Sequence, residues 1–136
     1  MSTGNSFPVR STVPDTVRVQ GVWTGGGAAA NCTKAAADWN RGIASVNYNA
    51  ATGKYKITFV DVGQQIVYAH VECFSTTGVL TKDVAVIRGS FSVSAKTYEI
   101  EIRTKATDVA AAALVDLITT FGLMITFEFA KNGPDA

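Results

Sequence analysis

The chain has 136 residues, a usual size for one domain and enough to close one hydrophobic core. Charged residues make up 17% of it, against about 25% in a typical soluble domain, while apolar residues stand at an ordinary 47%. Lys and Arg number 12 against 11 Asp and Glu, a formal charge of +1; with no run of like charges this excludes the electrostatic footprint of a nucleic-acid binder, and no stretch approaches a membrane span.

A surface this poor in charge is covered by Ser, Thr, Ala, Gly and Asn, which cost less to bury against a neighbour. The composition points to a chain that lives in contact with copies or partners, the plain alternative being a monomer with a Ser/Thr-rich surface. The opening MSTGNSFPVRSTVP lacks the apolar core of a secretory signal, so synthesis in the cytoplasm is expected. Cys32 and Cys73 lie in no CxxC or His-rich context and read as free thiols.

Residues 1–15, with Pro8 and Pro14 and no sustained periodicity, read as an extended N-terminal arm whose apolar side chains are Phe7, Val9 and Val13, or equally as a floppy terminus. From Thr16 the pattern becomes β: Val17, Val19 and Trp23 alternate with Arg18 and Gln20 as in a half-buried strand. Gly25 to Gly27 end that strand, and AAANCTKAAADWN reads as a long loop containing Trp39. Residues 43–49 lead through N-A-A-T-G into KYKITFVDV, a hairpin whose second arm places Tyr55, Ile57 and Phe59 on the core face and Lys54, Lys56 and Thr58 on the wet face.

In IVYAHVECF the alternation assigns Val67, Ala69, Val71 and Cys73 to the core and Tyr68, His70 and Glu72 to solvent. A weaker strand follows at 84–93, interrupted at Gly89. A strong one spans 97–104, with Tyr98, Ile100 and Ile102 inward and Glu99, Glu101 and Arg103 outward. Residues 107–120 read equally well as a helix capped by Asp108 or as a loop. Leu123, Ile125, Phe127 and Phe129 then alternate with Met124, Thr126 and Glu128 in a closing core strand. The strand spacing indicates a sandwich or small barrel, and the reading adopted is an all-β chain, an antiparallel, jelly-roll-like β-sandwich of about 7–8 strands over residues 16–136, preceded by the arm at 1–15.

No catalytic constellation is legible. A Ser-His-Asp or Cys-His arrangement would have to use His70, the sole histidine, whose strand partners Tyr68 and Glu72 are not nucleophiles and whose neighbour Cys73 falls on the opposite face. Glu99 and Glu101 share a face, as the two carboxylates of a glycosidase would, but Arg103 continues the row and makes a solvated, ion-paired surface the better reading. The run WTGGGAAA has neither the Lys-Ser/Thr ending of a P-loop nor the dinucleotide pattern. The acids are too scattered for a metal loop, and Asn31-Cys32-Thr33 fits a glycosylation pattern that is frequent by chance. No catalytic residue, cofactor or metal is therefore expected. Among the aromatic residues, Trp39 is the free one, a loop contact candidate that would serve a carbohydrate- or receptor-binding module of the fibre-head type, although such a residue is more often a loop anchor.

In their order and spacing, VRVQGVWTGGGAA (17–29), GKYKITF (53–59), ALVDL (113–117) and GLMITFEFAKN (122–132) give the chain a family likeness from Val17 to Asn132. It resembles the small capsid decoration, or cement, proteins of tailed bacteriophages; the longer loop around AAADWNRG and the arm before Val17 depart from that pattern. The resemblance implies a non-enzymatic virion protein on the capsid exterior. It would be a homotrimer seated on the major capsid protein where capsomers meet, with no nucleic acid or membrane partner. With that likeness in hand, the arm's own composition suggests that it lies on the shell, with Phe7, Val9 and Val13 in apolar gaps and Arg10 at an acidic rim. The competing reading is the glycan- or receptor-binding module.

Overall fold

A computed structural model describes residues 16–35, 40–62, 65–77, 84–104 and 113–130, with the backbone alone at 84–88. Eight strands follow one another: β1 (Thr16–Thr24), β2 (Thr33–Lys34), β3 (Ile43–Tyr48), β4 (Lys54–Phe59), β5 (Gln65–Ser75), β6 (Val84–Ser92), β7 (Thr97–Thr104) and β8 (Phe121–Ala130). They form two four-stranded sheets, ordered β2-β1-β8-β5 and β3-β4-β7-β6, and every pairing is antiparallel. The sheets pack face to face as the predicted β-sandwich. The β3–β4 and β6–β7 hairpins join through β4 and β7 in one sheet, while β5 and β8 cross to the other, where the first long strand lies beside the last.

The core is filled by the alternating rows the sequence marks. Val19 and Trp23 of β1, Tyr55, Ile57 and Phe59 of β4, Tyr98, Ile100 and Ile102 of β7, and Leu123, Ile125, Phe127 and Phe129 of β8 are all buried in one cluster. Phe59 meets Phe127 and Phe129 edge to face at 5.0 and 5.1 Å between ring centres, and Tyr98 meets Phe127 at 5.0 Å. Such pairs add about 0.5–1.5 kcal/mol each beyond the area they bury.

Bulges shift the pattern in three places. In β5 the register slips between Ile66 and Tyr68, so Val67 is an extra residue that stands 41% exposed, and Ile66 packs against the core in its stead. The assignment of Val67 to the core is thereby corrected; Ala69, Val71 and Cys73 keep the inward row and Tyr68, His70 and Glu72 the outward one. In β3 the slip falls between Ile43 and Ser45, which lets Ile43 and Val46 both point inward. In β6 it falls between Arg88 and Phe91, at the Gly89 interruption visible in the sequence. Val17 also departs from expectation: it begins the core-facing row of β1 but is 39% exposed, while Phe129, its partner on β8, is fully buried.

The loop predicted over 28–40 contains the short strand β2, held by pairing with Trp23 and Thr24. On either side of β2, Cys32 N–H donates to Val46 O at 2.9 Å and Gln20 and Arg41 exchange backbone hydrogen bonds, so this segment closes the side of the sandwich between β1 and β3. On the other side β5 and β6 come into contact. Of the 107–120 ambiguity, the described part, 113–120, is not helical: Leu114 bridges to Arg103, and Val115 N–H donates to Ile102 O.

Candidate functional site

The two sheets present chemically different outer faces. On the β3-β4-β7-β6 sheet the register sets Lys56 against Glu99 and Lys54 against Glu101, with ion-pair distances of 3.9 and 3.8 Å. Arg103 adds a third pair, its Nη2 3.1 Å and its Nε 3.2 Å from Glu101 Oε1, and Ser90 Oγ donates to Glu99 Oε1 at 3.1 Å. Both glutamates are thus engaged by cations and a hydroxyl, which fits the solvated ladder read from the sequence rather than an acid/base pair.

The outer face of β1-β8-β5 is built in four rows by the shared register: Arg18, Glu128, Tyr68; Gln20, Thr126, His70; Val22, Met124, Glu72; Thr24, Gly122, Phe74. Charge is confined to its margins, with Arg18 and Glu128 paired at 3.5 Å at one corner and Glu72 beside His70 on the edge strand. Tyr68 and Met124 are exposed at 47% and 40%. Phe74 lies over Gly122, where a Cβ would come within 2.7 Å of its ring; an aromatic laid across a strand glycine covers backbone that would otherwise be open.

His70 has one side-chain hydrogen-bonding partner among the described residues, Glu72 at 3.5 Å, and both are exposed; its ring lies nearly parallel to that of Tyr68. Cys73 is partly buried on the far side of the strand, so no nucleophile joins the histidine there. Burial pushes the Cys32 thiol up to about 12, with the charge of Cys73 adding to it, and burial pushes Cys73 up to about 11. Thiols held in the protonated form are poor nucleophiles and poor metal ligands. No group of three or more His, Cys, Asp or Glu among the described residues is placed to hold a metal ion.

One end of the sandwich is tied together by hydrogen bonds that the sequence reading did not assign to these residues. Asp116 accepts from Gly53 N–H at 2.8 Å and from Ala29 N–H at 2.9 Å, joining the β3–β4 turn, the glycine loop and the segment before β8. Leu117 N–H donates to the buried Tyr55 hydroxyl at 2.7 Å, while Gly27 N–H donates to Leu117 O and Gly25 N–H to Phe121 O. The hydroxyl of Tyr55 is pushed up to about 12, chiefly by burial. The one available signal was a lone carboxylate inside the apolar run ALVDLI. Asn31, of the glycosylation pattern, accepts from Tyr48 N–H through its side-chain oxygen at 2.9 Å.

The residues proposed from sequence as contacts, Phe7, Val9, Arg10, Val13 and Trp39, lie outside the described residues, so the structure neither gathers nor separates them. Comparison of the chain with protein-family models, with curated proteins and with solved structures finds no match.

Proposed function

We propose that the protein is a non-enzymatic structural component of a phage virion, which oligomerises on the outside of the capsid and stabilises contacts between capsomers. The observation that carries this reading is the contrast between the two sheet faces. Burying Lys54, Lys56, Glu99, Glu101 and Arg103 against a neighbour would strip water from five charges, whereas the rows centred on Thr126 and Met124 require far less desolvation. A protein with one charge-poor sheet face is suited to sit against neighbours in an assembly. The motif order from Val17 to Asn132 supplies the family analogy, and analogy of that kind bears on function only together with the surface chemistry.

A ligand that binds the assembled shell alone shifts the assembly equilibrium toward it. The test is therefore to add the purified protein to shells of the encoding phage that lack it and to follow co-sedimentation and the temperature of shell disruption. Saturable binding with a raised disruption temperature is the expected result. Absence of binding at micromolar protein would overturn the reading and favour the glycan- or receptor-binding module, for which loss of glycan binding in Trp39→Ala is the corresponding test.

A further inference from the structure

The two ends of the sandwich differ in chemistry. At one end the register brings together Thr24 and Thr33, whose hydroxyls lie 2.9 Å apart, and the pair Ser75 and Phe121, where β5 ends and β8 begins. Thr76 follows, its N–H donating to Thr120 O and its hydroxyl to Thr119 O. Thr33, Thr76, Thr77, Thr119 and Thr120 are all exposed, and Asp116 and Leu117 tie the loops of this same end. Such a rim of hydroxyls costs free energy to strip of water against an apolar neighbour.

The other end carries valines. Val60 directly follows β4, Val93 directly follows β6, Val67 is the bulged residue at the start of β5, and Val17 is the second residue of β1. Pairing of Thr16 and of Gln65 with Ala130, and the short connection from β4 to β5, set three of these strands at one end. The 93–96 turn joins them, since Phe59 N–H donates to Lys96 O and Lys96 Nζ to Val60 O at 3.4 Å. The core here is already closed, with Phe59, Phe129 and Ala130 buried, so the valines leave apolar surface in water that the fold itself does not use. Of the seven large exposed apolar residues described, these are four; Tyr68 and Met124 belong to the β1-β8-β5 face and Ile118 to the threonine end. The described segments that build the valine end, 16–17, 58–62, 65–67, 92–97 and 129–130, hold one acid, Asp61, and one base, Lys96. Residues 1–15, with Phe7, Val9 and Val13, join the sandwich at Thr16 and are therefore tethered at this end.

We propose that the valine end is the surface that meets the shell, with Val17, Val60, Val67 and Val93 docked on an uncharged, apolar patch of the major capsid protein and the threonine end facing solvent. This rests on the capsid reading above and gives it a surface, leaving the β1-β8-β5 face to sister copies. Docking is then driven by apolar burial and is insensitive to salt.

The test is co-sedimentation with shells of the encoding phage that lack the protein, comparing the parent with Val60→Asp plus Val93→Asp and with Ile118→Asp plus Thr120→Asp. The valine variant is expected to bind at least about tenfold more weakly at unchanged solution mass and melting temperature, both side chains being exposed already. The threonine-end variant is expected to bind as the parent does. Parent binding should change less than about twofold between about 50 and about 500 mM salt. Hydrogen exchange of the parent, which needs no variant to fold, should slow on the shell at 59–62, 65–67 and 93–96 and not at 116–120. Equal binding by the valine variant and the parent, exchange slowed at 116–120 instead, or a steep loss of binding with salt would overturn the proposal and leave the capsid reading standing. A fall in solution mass in the valine variant would overturn it by assigning this end to a second copy. Absence of binding by the parent would remove the capsid reading, and this surface with it.

Discussion

Asp116 and Gly53, 63 positions apart, are joined by a 2.8 Å hydrogen bond from the glycine N–H to the carboxylate. Gly53 adopts a φ of 75°, a conformation that L side chains rarely take, and a Cβ there would come within 2.8 Å of Ile102 O. The same carboxylate also holds Ala29, so one side chain fixes three loops at one end of the sandwich. Asp116→Ala leaves two N–H groups without their acceptor and is expected to cost about 1–3 kcal/mol. Urea unfolding monitored by Trp fluorescence measures it; a midpoint unchanged from the parent would show that the tie is not a stabilising one.

Tyr55 is fully buried, and its hydroxyl accepts from Leu117 N–H. Tyr55→Phe keeps the ring but orphans that donor, with an expected loss of about 1–3 kcal/mol. The near-isosteric change should leave the near-ultraviolet spectrum of the folded protein otherwise native, which distinguishes a lost hydrogen bond from a disrupted core.

Burial raises Tyr55 and Cys32 to about 12 and Cys73 to about 11. In the unfolded chain cysteine ionises near about 8.5 and tyrosine near about 10. Above those values the unfolded state has lost protons that the folded state keeps, so stability from this source is intact below about pH 8.5 and falls as the pH climbs toward about 12. Melting temperatures measured from pH 8 to 12 should show this alkaline decline, and its upper part should be weaker in Tyr55→Phe. A flat profile would contradict the burial of these groups.

The fold was legible wherever alternation ran unbroken: β4, β7 and β8 place their core residues on the rows read from sequence. It was less legible where a single inserted residue changes phase, as at Val67, since a bulge leaves no mark in a string of apolar residues. Strand β2 escaped notice because its two residues form a strand only by pairing with Trp23 and Thr24. Around 113–118 the helical preference of Ala and Leu gives way to tertiary contacts, with Leu114 bridged to Arg103 and Asp116 committed to two distant N–H groups. The role of Asp116 could not be inferred from its neighbours, because its partners stand 63 and 87 positions away. The proposed contact residues of the arm, with Trp39, fall outside the described residues, so that part of the sequence reading meets no geometry.

His70 and Glu72 sit exposed on the outer face of β5. Hydrolysis of activated esters should not exceed the buffer background, and His70→Ala should leave the trace unchanged. Turnover that disappears in this variant would restore an enzymatic reading.

If the charge-poor face of β1-β8-β5 is buried in the assembly, Tyr68→Glu combined with Met124→Lys should weaken self-association at least tenfold without lowering the melting temperature, since both side chains are exposed. Charge reversal of Lys56 and Glu99 together, on the other sheet, should leave association intact. Sedimentation velocity on the two double variants separates the faces, and equal loss in both would remove the distinction drawn between them.

The most direct test of an assembly role is the solution mass of the unmodified protein by light scattering across a concentration series. A mass of three chains that persists on dilution is the predicted result; a single-chain mass at every concentration would contradict an oligomer formed ahead of the shell.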